Sequence, residues 1–238
     1  MTKKHLRVWG FFCVALGIVS QCLIRGGILK LRGMSSPELL ELMERSPESM
    51  LWITISLALQ ALESCAIPIF AFLLVKGFCE AENVRKYFCR IVAVAVASEI
   101  PYNLAFSGVL LDPGSRNPAF ALALGAGMLW LWRYFSGNNG FIKVAIALAA
   151  VLWCGMLGIV HGPFVIAMTA VIWFSQGKAY ATLLSCGAAA LGAALSPFYL
   201  AAPLGVAAVH FYREEEGNPV SLLCYPLFLL AGFAATLL

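Results

Sequence analysis

The sequence has 238 residues, of which 61% are hydrophobic and 12% charged, and its mean hydropathy is +0.87. This composition excludes an ordinary soluble domain, whose residues are about twice as often charged. The net charge of +4 is small, and no basic patch is interleaved with aromatic residues. Nucleic acid is therefore not an expected partner, whereas the lipid bilayer is.

Apolar runs close to bilayer length recur along the whole chain. They are continuous rather than alternating, which favours helices over a barrel. We therefore expect an all-α fold, a multi-pass transmembrane helix bundle of about eight to ten helices, in a single polytopic domain over residues 1–238. The predicted spans are residues 8–24, 50–75, 91–111, 119–135, 141–157, 160–174, 179–195, 198–212 and 220–238.

The distribution of Lys and Arg predicts the orientation. If the spans alternate, most of these residues lie on the side of the N-terminus, which is then cytoplasmic in a cell inner membrane. The external loop, residues 25–49, is the only long one. Its Ser35-Ser36-Pro37-Glu38 segment predicts the start of an amphipathic helix on the bilayer surface, with a lid over a substrate as the alternative.

The second span carries a polar stripe. Ser56, Gln60, Glu63 and Ser64 fall on one helical face, which cannot favour lipid. A carboxylate within a bilayer is normally paired, shielded or protonated. The stripe therefore forms either an interhelical hydrogen-bond seam or the wall of a substrate pocket, and Glu63 is a candidate catalytic residue.

The polar stretch SEIPYN interrupts the third span. Glu99 and Asn103 are one turn apart on a common face, and Ser98 and Tyr102 form an adjoining pair. Pro101 removes a backbone donor, which opens the helix beside a carboxylate, as at ligand sites in discontinuous helices. Glu99 is thus a candidate catalytic residue, and the other three polar residues are candidates for substrate binding. The alternative is a proline kink beside a satisfied buried acid.

Two polar residues stand at the starts of later spans. His161 titrates near neutral pH and is a candidate general base, or else an interfacial hydrogen-bonding residue. Asn117 precedes Pro118 and is a candidate substrate-binding residue or a simple helix cap. The sequence contains no HExxH, GxSxG or Walker motif and no metal-spaced Cys/His set, so no bound metal is expected.

Small residues recur in the later spans. Ala188 lies four residues before Gly192, and Ala201 lies four residues before Gly205, so each pair shares one helical face. Pairs of this kind predict close packing between membrane helices.

Four cations cluster after the second span: Lys76, Arg85, Lys86 and Arg90. Lys and Arg bind phosphate through charge and multiple donors, so the cluster is a candidate phosphate site. The alternative is ordinary positive-inside topology with contact to anionic lipid. Lys76 also lies four residues before Glu80, the spacing of a helical ion pair.

Three distinctive blocks follow one another along this region: PIFAFLLVKGF at residues 68–78, RKYFCR at 85–90 and SEIPYNLAF at 98–106. In order and spacing they resemble the TraX family, polytopic membrane proteins named for the pilin N-acetylase of conjugative plasmids. Weaker similarity continues in RNPAFALALG, HGPF and YPLFLL, so the resemblance touches most of the chain.

The resemblance implies a function. The family is related to membrane acyltransferases, which implies transfer of an acetyl or other acyl group from an acyl-CoA donor to an amine or hydroxyl acceptor. In that reading Glu99 orients or deprotonates the acceptor, and Asn103 and Asn117 hold the acyl carbonyl. The four clustered cations hold the phosphates of the acyl-CoA.

Several polar positions depart from the family pattern. The Asp-His pair expected in the first helix is Ser20-Gln21, and the His of a late Tyr-Pro-Leu-His pattern is Phe228. Neither Gln21 nor Phe228 can serve as a base. The alternative is therefore a non-catalytic homologue of the same fold or a small-molecule transporter, although the internal repeat typical of transporters is not visible.

Overall fold

The structure is a computed structural model and describes residues 2–30, 46–135, 137, 140–213 and 224–235. Over these ranges the secondary structure is helical and includes no β-strand. The protein is an all-α helical membrane bundle, as its composition predicts. The amphipathic helix expected after Ser35 lies outside the described residues.

The helices overlap the predicted spans, but the span 50–75 is divided between two helices and the span 198–212 holds only a short α-helix. Three runs are long and apolar enough to cross a bilayer, namely Lys3–Ile28, Pro47–Glu80 and Val84–Phe106, whereas most of the later apolar helices are shorter. In chain order the helices are α1 (Lys3–Ile18, continued by a π-helical segment, Val19–Ile28), α2 (Pro47–Glu63), α3 (Ala66–Glu80), α4 (Val84–Phe106), α5 (Ala119–Tyr134), α6 (Gly140–Met156), α7 (Gly162–Ser175), α8 (Ala181–Leu195), α9 (Ala202–His210) and α10 (Cys224–Ala235).

Three helix starts are capped by side chains, namely those of α1 (Thr2), α2 and α4. The Ser46 hydroxyl accepts a hydrogen bond from the N–H of Ser49, and Pro47 occupies the first turn of α2. At the start of α4, the Asn83 side chain accepts a hydrogen bond from the N–H of Lys86 over 3.0 Å. These caps fix where the helices begin, because they satisfy donors that a first turn leaves unpaired.

The predicted second span is broken into two helices. At Ser64 and Cys65 the backbone makes hydrogen bonds of the i→i+3 kind, with the N–H groups of these residues donating to Ala61 and Leu62. Pro68 lacks an N–H group, so the carbonyl of Ser64 accepts instead from Ile67. This tight turn ends α2 immediately after Glu63, and α3 begins at Ala66.

Helix α3 lies at the centre of the bundle. It packs against α1, α5, α7 and α9, and about half of its side chains are buried. Its buried residues Leu74 and Phe78 join one continuous apolar core with Trp132 of α5 and Met168 of α7. Since burial of such large side chains is the main stabilising term, this core fixes the position of α3, while Cys65 and Ala66 at the break pack in a separate small cluster with Cys13.

Helices α8 and α9 form a hairpin beside the break. A short 3₁₀ turn, Pro197–Tyr199, reverses the chain, and α9 then extends only nine residues, or about 14 Å. That is about half the apolar thickness of a bilayer, so α9 alone is too short to complete the crossing predicted over residues 198–212. The Sγ of Cys65 donates to the carbonyl of Ala201 over 2.9 Å and ties the hairpin to the break.

Two connections meet at the same end of the bundle as the α8–α9 turn. Residues 107–118 join α4 to α5, and the Arg116 N–H and carbonyl exchange hydrogen bonds with Gly158 and Val160 in the α6–α7 turn. Gly158 has a φ of +64° and lies against the Gly114 carbonyl, so a larger residue would be strained there. In the same connection, hydrogen bonds from the Ser107 hydroxyl and the Gly114 N–H hold the pKa of the Asp112 carboxyl below its usual range.

Candidate functional site

A cavity of about 110 Å³ lies beside the helix break, between α1, α3, α4, α5 and α7. Most of its wall is apolar, with Phe11 and Phe70 on one side and Leu122 and Val165 on the other. The cavity is therefore a dry site with a few convergent polar groups, the usual character of a small-molecule pocket. Its polar wall is formed by Glu63, Ser64, His161 and Tyr225.

Glu63 is the last residue of α2, so the break directs its side chain to the cavity. Its carboxylate makes no hydrogen bond and no ion pair with any of the residues that the structure describes. Gly17 of α1 faces it so closely that an added Cβ would overlap the carboxylate. A partly buried acid without a partner, in an apolar pocket, is a strong candidate for work on a ligand.

The polar stripe of the second span serves two purposes. The Ser20 hydroxyl donates to the Ser56 carbonyl over 2.8 Å and lies 2.7 Å from the Ser56 hydroxyl, while the Gln60 amide donates to Ser20 over 3.3 Å. These residues form the interhelical hydrogen-bond seam. Glu63 and Ser64, one or two turns further along, line the cavity instead.

His161 reaches the same cavity from the start of α7. Its φ of +58° is in the left-handed region, which is uncommon for a residue other than glycine. The Nδ1 atom lies 2.9 Å from the Tyr199 hydroxyl, and the Tyr199 ring stacks on Phe164. Because Nδ1 is engaged by Tyr199, Nε2 is the ring nitrogen that remains for a ligand.

Glu99 lies one layer behind the cavity. Its side chain is buried, and Oε2 accepts a hydrogen bond from the Asn117 N–H over 3.2 Å. The Arg116 Nη1 atom lies 3.9 Å from Oε1, so Glu99 is paired rather than exposed to a ligand. Helix α4 continues through Pro101 without a break, and the carboxylate fastens the α4–α5 connection to it.

Asn117 links Glu99 to the cavity. Its side-chain Oδ1 accepts hydrogen bonds from the Ala119 N–H over 2.9 Å and from the Tyr225 hydroxyl over 2.8 Å. Asn117 is thus a cap for α5 and also the anchor of a tyrosine in the cavity wall. Its Nδ2 is fully buried and has no partner among the described residues, so one amide donor is unused.

The other predicted substrate-binding residues are directed elsewhere. The Ser98 hydroxyl donates to the Val94 carbonyl of its own helix, and the Tyr102 ring stacks on Phe106 with centroids 4.4 Å apart. Asn103 is fully buried and donates to the Leu110 carbonyl over 3.4 Å, while its Oδ1 has no partner among the described residues. None of the three contributes to the wall of the cavity.

The four clustered cations do not form one group. Lys86 and Arg90 line a pocket of about 490 Å³ at the start of α4, together with Glu80 and Glu82. Lys76 lines a different pocket and pairs with Glu80 over 3.5 Å, as its spacing predicts. Glu80 also pairs with Lys3, which joins α1 to the end of α3. Arg85 is exposed.

Three residues of this site are not among the candidates that the sequence predicts. Tyr225 lines the cavity, Tyr199 holds His161, and Arg116 pairs with Glu99. Two of them lie in blocks that resemble the TraX family, Arg116 in RNPAFALALG and Tyr225 in YPLFLL. Those blocks were the available signal, whereas nothing near Tyr199 in the sequence predicts its contact with His161.

Comparison with known proteins agrees with the resemblance of these blocks. The family model described as TraX protein matches residues 48–236, which covers most of the chain and includes the cavity residues from Glu63 to Tyr225. No curated protein and no solved structure matches the chain significantly. The protein belongs to the TraX family.

Proposed function

We propose that this TraX-family membrane protein is an acyltransferase that moves an acetyl or longer acyl group from acyl-CoA to an amine or hydroxyl acceptor. The observation that supports this most is the cavity in which the Glu63 carboxylate, without a partner among the described residues, and His161 converge. A base and a second proton-carrying group in an apolar, water-poor site are what acyl transfer requires.

The acceptor binds in the cavity. Glu63 takes the proton from the N–H or O–H group of the acceptor, while the lone pair on that nitrogen or oxygen attacks the carbonyl carbon of the thioester. The carbon–sulfur bond then breaks, and the coenzyme A thiolate leaves with the proton that Glu63 took from the acceptor, so that Glu63 returns to its ionised state and His161 stays neutral. Asn117 holds the Tyr225 ring in the cavity wall by accepting a hydrogen bond from its hydroxyl, and Glu99 acts as a positioning residue by accepting from the Asn117 N–H.

The donor binds at the pocket of Lys86 and Arg90. Arg90 lines this pocket and Val94 lines the cavity, and these two residues are one turn, or about 6 Å, apart along α4. Phosphates at the cations thus place an extended thioester arm within reach of Glu63. In the predicted inner-membrane orientation this pocket faces the cytoplasm, where acyl-CoA is found.

Calorimetry tests the donor site. Purified protein in nanodiscs is expected to bind acetyl-CoA saturably, and Lys86→Ala/Arg90→Ala is expected to weaken binding about tenfold or more, because charge-assisted contacts to phosphate are lost. Arg133→Ala/Lys143→Ala removes the same charge from another connection and is the matched control. A folded protein that binds no acyl-CoA of any chain length contradicts the proposal.

One observation favours a second candidate, a non-catalytic member of the family. Ser20 stands where the resemblance expects part of an Asp-His pair, and it is used in the hydrogen-bond seam with Ser56 and Gln60. A protein of this kind binds a small molecule in the cavity without transfer. Acceptor binding with no release of coenzyme A from acyl-CoA distinguishes this candidate from the enzyme.

A further inference from the structure

A second cavity lies on the opposite side of α3 from the first. It measures about 470 Å³ and is bounded by α3, α7, α8 and α9. Its floor is apolar, with Pro68, Ile172 and Val206, and its upper wall carries polar groups from three of the helices. No Asp or Glu is among its lining residues in the part of the chain that the structure describes.

The polar wall is rich in hydrogen-bond donors. Lys76 supplies an ammonium group whose side chain is 28% exposed, and its pairing with Glu80 fixes it at the rim. Across the cavity, the Thr182 hydroxyl lies 2.9 Å from Nδ1 of His210. One cation, which is paired with Glu80 at the rim, a hydroxyl and an imidazole thus converge on the same space.

The start of α8 adds a second kind of donor. Ala181 and Thr182 form its first turn and line the cavity, and α8 has neither a side-chain cap nor an acid in that turn. The Ala181 N–H already donates to the Lys178 carbonyl, which leaves the Thr182 N–H as the donor beside the cavity. The first N–H groups of a helix of this length attract anions. The start of α8 therefore adds to the positive potential that Lys76 provides in the cavity.

Ser185 supplies an independent sign of a ligand. It lies one turn along α8 on the same face as Ala181, lines the cavity, and is only 6% exposed. Its hydroxyl makes no hydrogen bond with the described residues. Buried hydroxyl groups are normally satisfied, so this one is available to an occupant of the cavity.

We propose that this cavity is a binding site for a phosphate group, held by Lys76, Thr182, Ser185 and the start of α8. The volume exceeds that of inorganic phosphate alone, so the phosphate belongs to a larger molecule, either a soluble nucleotide or a lipid headgroup. The apolar floor and the edge-to-face pair of Phe72 and Tyr212 contact the remainder of it. The site does not depend on the proposed acyl transfer.

Two binding experiments distinguish the sources. In the first, protein in phosphatidylcholine nanodiscs is titrated calorimetrically with adenosine 3′,5′-bisphosphate, with inorganic phosphate as competitor. In the second, native mass spectrometry counts the lipid retained by protein taken from mixed phosphatidate and phosphatidylcholine membranes. Binding in the first identifies a soluble ligand, and selective retention of phosphatidate in the second identifies a lipid.

The variants locate the binding. Lys76→Gln is expected to weaken it about tenfold and Ser185→Ala about fivefold, since they remove a charge-assisted contact and a neutral hydrogen bond. Lys76→Arg preserves the charge and keeps most of the affinity. Lys4→Gln removes an equal charge from the exposed N-terminal part of α1 and is expected to change nothing.

Three results overturn the proposal. The first is that neither experiment detects binding although the protein melts like the wild type. The second is that binding is unchanged in Lys76→Gln and in Ser185→Ala. The third is that binding of the bisphosphate is lost in Lys86→Ala/Arg90→Ala while both cavity variants retain it. The last outcome removes this site but supports the donor pocket of the proposed function, so the two failures are distinguishable.

Discussion

Replacing Glu63 by Gln is expected to lower the rate of acyl transfer by about 10²–10⁴-fold, the range attributed to a general base. The substitution preserves the shape of the side chain but removes its ability to take the acceptor's proton. Glu63 has no ion-pair partner among the described residues, so its charge contributes little to holding the fold together. The variant should insert and melt like the wild type.

The measurement is the rate of coenzyme A release from acyl-CoA, with acceptors supplied as a membrane and metabolite extract. Glu48→Gln is the control, because it removes the same charge from an exposed position at the start of α2. Binding of acyl-CoA should be unchanged in both variants. Equal rates for wild type and Glu63→Gln would remove Glu63 from the mechanism and leave His161 as the remaining base in the cavity.

Replacing Gly205 by Ala is expected to destabilise the protein by about 1–3 kcal/mol, the usual cost of overpacking a well-packed interior. Gly205 of α9 lies against the backbone of Cys65, so a Cβ would overlap the Cys65 carbonyl. Backbone at the break cannot move aside as a flexible side chain can. The prediction has the opposite sign to helix propensity, which favours Ala over Gly by about 1 kcal/mol.

Unfolding in detergent micelles, followed by circular dichroism, measures this difference. Gly187→Ala on α8 is the matched control, because Gly187 is exposed and has open space around it. It should be neutral or slightly stabilising. Gly205→Ala should also slow transfer, since the contact with Cys65 holds the break that directs Glu63 to the cavity. Equal stability of the two variants would show that α9 does not fix the break.

Much of the fold follows from the local sequence. The predicted span 119–135 and α5, Ala119–Tyr134, agree almost residue for residue, because an apolar run between charged or polar ends defines a membrane helix. The small pair that includes Gly205 also predicts close packing, and the structure shows which backbone that glycine contacts. These features depend on residues that are neighbours in the sequence.

The break after Glu63 could not be predicted in the same way. Pro68 alone is compatible with a continuous kinked helix, and the apolar run over residues 50–75 predicts a single span. What turns a kink into two helices is the contact of Cys65 with Ala201 and Gly205, more than a hundred residues away. Tertiary packing of this kind leaves no periodic signal around the break itself.

The candidate site likewise has residues that the sequence predicts and an arrangement that depends on tertiary packing. The sequence predicts Glu63 and His161 separately as candidate catalytic residues, because each is an unusual polar residue in a membrane span. It does not show that they share a cavity. Glu99 was selected on the same grounds, yet Asn117 and Arg116 satisfy it behind the cavity wall. Which intramembrane acid faces a ligand depends on the rotation of each helix, and one sequence does not specify that rotation.

The most direct test of the account follows the acyl group itself. Purified protein in nanodiscs is incubated with acyl-CoA carrying a labelled acyl group and with the membrane and metabolite extract, and mass spectrometry searches for labelled products. The account predicts a labelled amide or ester that depends on both the extract and the wild-type protein and is absent with Glu63→Gln. Acyl-CoA that stays intact at every chain length, in the presence of folded protein that binds it, would contradict acyl transfer as the function.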